Sequence, residues 1–151
     1  MDPSLTAYLD RVRAQRAELH DSVRALDDTL ASPLARGAAW RERVRAALAE
    51  LSSDLDVHVE LTEGPGGLYD RLSRAAPRLS GPLGRLREEH EPLREAVRGF
   101  LAALEEGDGA SGDLPAFREE VTLLLGRLVR HRQTGTDLVY EAYEVDLGGS
   151  E

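Results

Sequence analysis

The amino-acid sequence predicts an all-α protein, an antiparallel up-down four-helix bundle. Four long stretches carry apolar residues at the three- and four-residue spacing of an amphipathic helix. Breaks rich in proline and glycine separate these stretches, and no segment shows the two-residue alternation of a β-strand. A chain of 151 residues suits one domain. We place that domain at residues 1–146 and expect residues 147–151 to form a flexible tail.

The first two helices form the first half of the predicted bundle. The first runs from about Pro3 to Leu30, and Ser32-Pro33 follows it. The second begins near Ala38 and reaches Gly64-Pro65-Gly66-Gly67, a sequence that must end or kink a helix. One or two further helical turns are expected from Leu68 to Ala75.

The second half contains the other two long helices. The third follows Pro77 and Gly81-Pro82, and Pro92 is expected to bend it. A polar, glycine-rich loop covers residues 106–113. The fourth helix runs from about Pro115 to Tyr143, with Asp113 as its candidate N-cap. Short connections between long helices favour antiparallel packing with the apolar stripes inward.

Composition excludes several classes of function. The net charge of −9 argues against a nucleic-acid partner, because binding phosphates requires a positively charged face. The chain has no cysteine, so thiolate metal sites and cysteine nucleophiles are excluded. Its basic residues are all arginine, which excludes a Schiff-base lysine. No apolar run, residues 121–125 included, is long enough to cross a membrane, and no secretory signal is visible at the N-terminus, so we expect a cytoplasmic protein.

The four histidines of the chain are the candidate functional residues, one on each long predicted helix: His20, His58, His90 and His131. The last three occupy positions in the apolar stripe where leucine would be expected, and His20 lies at the edge of its stripe. His90 is 15 residues before Glu105, where the third helix ends, and His131 is 16 residues after Pro115. At about 1.5 Å per residue, antiparallel helices bring these two imidazoles to one level. Burying unpartnered imidazoles costs about 1–3 kcal/mol each, so we predict a shared ligand site, with a polar core as the alternative.

Four segments of the sequence, one around each histidine, form a characteristic set: Ala17-Glu18-Leu19-His20, Leu55-Asp56-Val57-His58 leading to Leu68-Tyr69, Leu86-Arg87-Glu88-Glu89-His90-Glu91-Pro92-Leu93, and Leu128-Val129-Arg130-His131 ahead of Asp137-Leu138. In these segments the chain resembles the hemerythrin-like, or HHE cation-binding, domains, and the resemblance covers nearly its whole length. It implies a four-helix bundle with a metal centre. It also implies carboxylates, four residues after the second-helix and fourth-helix histidines, that bridge two irons.

The two bridging positions are where this sequence departs from the family pattern, because they are Thr62 and Gly135. Neutral imidazoles leave the four positive charges of two Fe²⁺ ions uncompensated, so the usual di-iron centre is disfavoured. Helical rotation turns the nearby acids Glu60, Glu89 and Asp137 away from the core. Glu63 also points away, but it lies at the helix break and is the acid most easily redirected. The two small residues predict a cavity beside the histidines, although Gly135 is equally compatible with a close contact between helices.

A cavity lined by imidazoles admits water, one transition-metal ion or a haem held by two histidines. The candidate cofactor-binding residues are His20, His58, His90, His131, Thr62 and Gly135, and the candidate metal ligands are the four histidines with Glu63. Tyr69, Tyr140 and Tyr143 are interpreted as interface or surface aromatics, and Arg127, Arg130 and Arg132 as solvated side chains.

The sequence therefore favours a histidine-only metal site, holding iron or zinc, in a protein that senses or handles metal, oxygen or redox change. A small diatomic molecule is a possible ligand. A haem-binding bundle and a structural or interaction bundle with a vestigial site are the alternatives. A redox metal or haem would allow a peroxidase, catalase-like or oxygenase activity. We expect a monomer or homodimer.

Overall fold

A computed structural model describes residues 3–106 and 113–146 of the chain. Within these residues the structure is helical and contains no strand, which confirms the predicted all-α class. The expected tail, residues 147–151, lies outside the described residues. The α-helices, in chain order, are α1 (Pro3–Ala31), α2 (Gly37–Glu63), α3 (Leu68–Ala75), α4 (Ser80–Glu105) and α5 (Leu114–Tyr140). Short 3₁₀ turns at Leu34–Arg36 and Pro77–Leu79 join them, and a π-helical turn, Glu141–Asp146, follows α5.

The long helices α1, α2, α4 and α5 form the bundle. Helix α1 contacts α2 and α5, and α4 contacts the same two helices. Their order around the bundle axis is therefore α1, α2, α4, α5, which is the arrangement expected of antiparallel neighbours with short connections. The short helix α3 packs on α2 and α4. It covers the side of the bundle next to the break after α2.

The helix ends agree with the local sequence. Gly66 has a φ of 68°, a left-handed conformation that glycine adopts without strain, and it turns the chain from α2 into α3. Asp113 caps α5, since its carboxylate accepts a hydrogen bond of 2.9 Å from the backbone N–H of Ala116. Helix α4 continues through Pro92. Within the described residues, no helix is long and apolar enough to span a membrane.

The buried apolar side chains form two clusters along the bundle axis. The first includes Leu19 of α1, Leu55 of α2, Leu93 of α4 and Leu128 of α5. The second includes Val12 of α1, Leu68 of α3, Leu86 of α4 and Leu138 of α5. Between the two clusters, α1 carries the buried polar residue Gln15, α4 carries His90 and α5 carries His131, and α2 carries His58 three residues after Leu55. These polar residues form a single layer across the middle of the bundle.

Candidate metal centre

The polar layer contains three buried histidines, His58 of α2, His90 of α4 and His131 of α5. Their exposed fractions are 8%, 2% and 3%. His90 lies on the same face of α4 as Leu86, which belongs to the second cluster, and Leu93, which belongs to the first. Its imidazole therefore lies between the two clusters. The heptad-like spacing of the apolar stripe is therefore what brings the imidazoles inward.

The three rings contact one another. Their centroids lie 5.1 Å apart for His58 and His90, 5.3 Å for His58 and His131, and 4.9 Å for His90 and His131. One ring nitrogen from each lies within 4.8 Å of the other two, and the Nε2 atoms of His58 and His131 are 3.2 Å apart. Two imidazole nitrogens that bind one tetrahedral ion at 2.0–2.1 Å lie roughly 3.3 Å apart. The contact between the His90 and His131 rings confirms the prediction that they lie at the same height along the bundle axis.

Carboxylates hold the outer nitrogens of two of these rings. His90 Nδ1 lies 2.6 Å from Glu63 Oε2, and His131 Nδ1 lies 2.7 Å from Glu89 Oε1. An ionised carboxylate only accepts hydrogen bonds, so each Nδ1 donates. The Nε2 atoms of His90 and His131 then carry lone pairs that face the centre, which is the tautomer a metal ligand requires. With this tautomer, His131 Nε2 accepts a hydrogen bond from His58 Nε2–H.

Tyr69 of α3 completes the polar layer. Its side chain is 3% exposed, its hydroxyl lies 3.1 Å from His90 Nε2, and its ring stacks on the His90 ring at a centroid distance of 5.6 Å. Burial raises the pKa of Tyr69, so the side chain is a neutral phenol that donates its O–H to His90. A hydroxyl group therefore lies directly beside the nitrogen that faces the centre.

Burial favours the neutral form of His58 and His90. It lowers the pKa of His58 to about 3, and the electrostatic effects of His90, His131, Arg132 and Arg16 act in the same direction. Burial also lowers the pKa of His90, although its hydrogen bond to Glu63 acts in the opposite direction. Neutral imidazole is the form that binds a metal ion, so burial favours the form of His58 and His90 that can act as a ligand.

Acid is expected to destabilise the metal-free protein through His58. The unfolded chain takes up this proton near pH 6.5, whereas the folded chain takes it up only near pH 3, so the free energy of unfolding falls as the pH drops below 6.5. This one group accounts for a loss on the order of 3 kcal/mol by pH 4. Urea unfolding at several pH values measures it. The slope should diminish in His58→Leu and persist in the exposed control His20→Leu; equal slopes in both variants would contradict the assignment.

Comparison with known proteins agrees with this geometry. The profile of the hemerythrin HHE cation-binding domain matches residues 8–142, which is most of the chain. The chain belongs to the hemerythrin HHE cation-binding family. No curated protein and no solved structure gave a significant match. Cation binding is therefore the function that this hemerythrin domain shares with its family at the coarsest level, and the three buried histidines are the cluster able to hold the cation.

The fourth histidine of this hemerythrin domain does not join the centre. His20 is exposed and lies in a surface groove with Arg13, Arg16 and Arg132, so the expectation that it faces the common interior is wrong. One residue beyond the buried Leu19, it is rotated about 100° from Leu19 and lies outside the buried part of the stripe. Helix α1 instead contributes Gln15 to the layer, where the side-chain amide donates to the backbone oxygen of Asp54 at 2.9 Å.

The other candidate residues lie around the three histidines, but none of them lies among the ring nitrogens that face the centre. The hydroxyl of Thr62 donates to the carbonyl of His58 at 2.8 Å, one turn back along α2. Gly135 lines a cavity of about 20 Å³ next to His58 and His131, and a Cβ added there would lie 3.9 Å from Leu86. This distance is an ordinary contact, so the cavity explains Gly135 better than a close helix contact does. Glu63 lies behind His90, on the nitrogen that faces away from the centre.

Three further residues of the site were interpreted differently from sequence. The sequence predicts an interface or surface position for Tyr69, but it is buried beside His90; the same prediction is wrong for Tyr143, which is 8% exposed, whereas Tyr140 is 58% exposed as expected. Glu89 faces away from its own helix's stripe, yet it reaches His131 on the neighbouring helix. Arg132 was assigned to solvent and is half-buried. Glu89 immediately precedes His90 and reaches the histidine of the neighbouring helix, but its position beside a stripe histidine is not a sufficient signal, because Glu91 on the other side of His90 pairs with arginines.

Proposed function

We propose that this hemerythrin domain binds one divalent transition-metal ion through the Nε2 atoms of His58, His90 and His131. The observation that carries the proposal is the convergence of three buried imidazoles, two of which are oriented from behind by carboxylates. Metal-binding histidines commonly donate their other N–H to a carboxylate in this way, and that hydrogen bond fixes the ring and strengthens the ligand.

The charges of the centre support a single ion. Two carboxylates, Glu63 and Glu89, lie behind the imidazoles, whereas Arg16 and Arg132 bring positive charge to the adjoining cavity. These surroundings tolerate the charge of one divalent cation better than that of two. Two Fe²⁺ ions would bring four positive charges, and the positions at which the family places bridging carboxylates hold Thr62 and Gly135. Unbalanced charge in a buried site is strongly unfavourable. A mononuclear centre is therefore the better fit to these residues.

Three imidazoles suit zinc or iron and leave at least one coordination position free. The surroundings of that position favour a small ligand, because the adjoining cavity of about 20 Å³ has room for roughly one water molecule. Tyr69 lies beside it as a hydrogen-bond donor. We therefore propose that the centre senses or handles a metal, or a small molecule such as a diatomic gas that binds at the free position.

Haem is the less favoured occupant of the same layer. The histidine rings are already in mutual contact, with centroids 4.9–5.3 Å apart. A porphyrin between two of them would require the helices to separate, whereas a single ion fits between the nitrogens as they lie. A vestigial polar core is the other alternative. It predicts a layer whose stability does not respond to metal.

Elemental analysis and thermal unfolding test the proposal. The purified protein, reconstituted with Zn²⁺ or with Fe²⁺ under anaerobic conditions and then desalted, is expected to retain one ion per chain. Its midpoint of thermal unfolding should rise with the free metal concentration, because a ligand bound only to the folded state stabilises that state. Two ions per chain, no retained metal and no thermal shift, or an intense Soret band on addition of hemin with no metal retention would each contradict the proposal.

A further inference from the structure

Two arginines separate the candidate centre from a groove on the protein surface. The groove, about 320 Å³ in volume, lies between α1 and α5 and is lined by Arg13, Arg16, Ala17, His20 and Arg132. The small cavity that reaches His58, Tyr69 and His131 is also lined by Arg16 and Arg132. These two side chains therefore belong to both spaces, and the route between the groove and the histidines passes them.

Neither arginine has an acidic partner in the part of the chain that the structure describes. Among residues 3–106 and 113–146, no carboxylate forms an ion pair with Arg16 or Arg132. The guanidinium of Arg16 donates to the hydroxyl of Thr136 at 2.8 Å, and the Nε atom of Arg132 is buried without a hydrogen-bond partner. The chain has 28 acidic and 19 basic residues, so the absence of an acid at two half-buried arginines is a local feature rather than a shortage of carboxylates.

The two arginines lie close enough to interact unfavourably. Burial lowers the pKa of both, and for Arg16 the positive charges of Arg132 and Arg13 lower it further. Both guanidinium groups remain charged at neutral pH, because arginine keeps its proton in proteins. A buried donor without an acceptor and a pair of like charges are each relieved by a bound anion.

We propose that the groove between α1 and α5 binds a small oxyanion, with Arg16 and Arg132 holding it at the entrance of the metal centre. The planar guanidinium fork matches the paired oxygens of a carboxylate or a phosphate. His20 and Arg13 line the outer part of the same groove. The second part of this inference, that the anion reaches the free metal position, rests on the proposed function; the binding of the anion to the arginines does not.

A second groove serves as a control for the groove lined by Arg16 and Arg132. It has a volume of about 340 Å³, lies between α4 and α5, and is lined by Arg127, Arg130, His131 and Glu89 among others. The carboxylate of Glu89 repels an anion there. This carboxylate also accepts a hydrogen bond from His131 Nδ1, which holds it in the groove. Arg130 is therefore a matched control, an arginine of the same helix in a groove beside the same histidine.

Calorimetric titration of the metal-free protein tests the anion site, with inorganic phosphate and formate as separate probes. We expect at least one of them to bind to the wild type, and binding of phosphate alone or formate alone identifies the oxyanion class.

Arg16→Gln and Arg132→Gln should each weaken binding about ten- to hundredfold, as expected for loss of a charge-assisted hydrogen bond. Arg130→Gln should bind as the wild type does. Circular dichroism checks that each variant is folded, and Arg16→Lys tests for the fork, since it keeps the charge and should still weaken binding.

Cobalt-loaded protein tests whether the anion reaches the metal. The visible spectrum of Co²⁺ bound to imidazoles should change when the binding anion is added to the wild type, and much less in Arg132→Gln. Failure of Co²⁺ to bind would contradict the proposed function but would leave the calorimetric result on the metal-free protein decisive. Neither probe binding, or equal binding in wild type, Arg16→Gln and Arg132→Gln, would overturn the anion site. Anion binding with an unchanged cobalt spectrum would overturn its connection to the centre.

Discussion

Replacing His131 by alanine is expected to abolish stoichiometric metal binding by this hemerythrin domain. The side chain supplies one of three converging nitrogens, and its Nε2 lies 3.2 Å from that of His58. Without it, two imidazoles remain, and the affinity should fall by more than the roughly 10–100-fold that follows loss of an outer hydrogen-bond partner. Competition with a chromophoric chelator measures the affinity, and elemental analysis counts the ions retained.

His20→Ala is the matched control for this prediction, because it removes an imidazole that is exposed and outside the layer. It should retain one ion per chain with unchanged affinity. Zn²⁺ should raise the midpoint of thermal unfolding of the wild type and of His20→Ala, and leave that of His131→Ala unchanged. If His20→Ala lost the metal, or if His131→Ala kept it, the assignment of the ligands would be wrong.

Replacing Glu63 or Glu89 by glutamine is expected to weaken metal binding about 10–100-fold without removing the site. Each carboxylate accepts a short hydrogen bond from the Nδ1 atom of a proposed ligand, 2.6 Å for Glu63 and 2.7 Å for Glu89. A neutral amide holds the ring in place but no longer compensates the charge of the ion. Titration of each variant with Zn²⁺ against a chelator should show a weaker dissociation constant at a stoichiometry of one.

Glu91→Gln is the control for both variants, since Glu91 is an exposed acid of α4 that pairs only with arginines in the described part of the chain. It should bind metal as the wild type does. Complete loss of binding in Glu63→Gln, as severe as in His131→Ala, would indicate instead that Glu63 is itself a ligand. Unchanged affinity in Glu63→Gln and Glu89→Gln would make the two hydrogen bonds incidental.

The helices and the depth of two histidines could be predicted from the sequence because both follow from regular geometry. Apolar spacing and the breaks at proline and glycine located α1, α2, α4 and α5 to within a few residues. A constant rise per residue placed His90 and His131 at one level, and their rings lie 4.9 Å apart. The stripe also identified His58 as inward-facing.

The remaining parts of the centre depend on the distances between helices, which periodicity does not define. His20 was assigned inward because each helix carried one histidine, yet a single residue of rotation places it in solvent. Glu89 points away from the apolar stripe of α4, yet its carboxylate lies 2.7 Å from His131 Nδ1 on the neighbouring helix α5. Tyr69 enters the layer only because the turn at Gly66 directs α3 back across the bundle.

X-ray absorption at the zinc edge of the zinc-loaded protein tests the central claim most directly, because it reports the kind, number and distance of the atoms around the ion. A mononuclear centre predicts three imidazole nitrogens at about 2.0–2.1 Å, one further light atom and no second metal. A metal–metal distance near 3.5–4 Å, typical of two-metal sites, or a shell made of oxygen without imidazole, would contradict a single ion held by His58, His90 and His131.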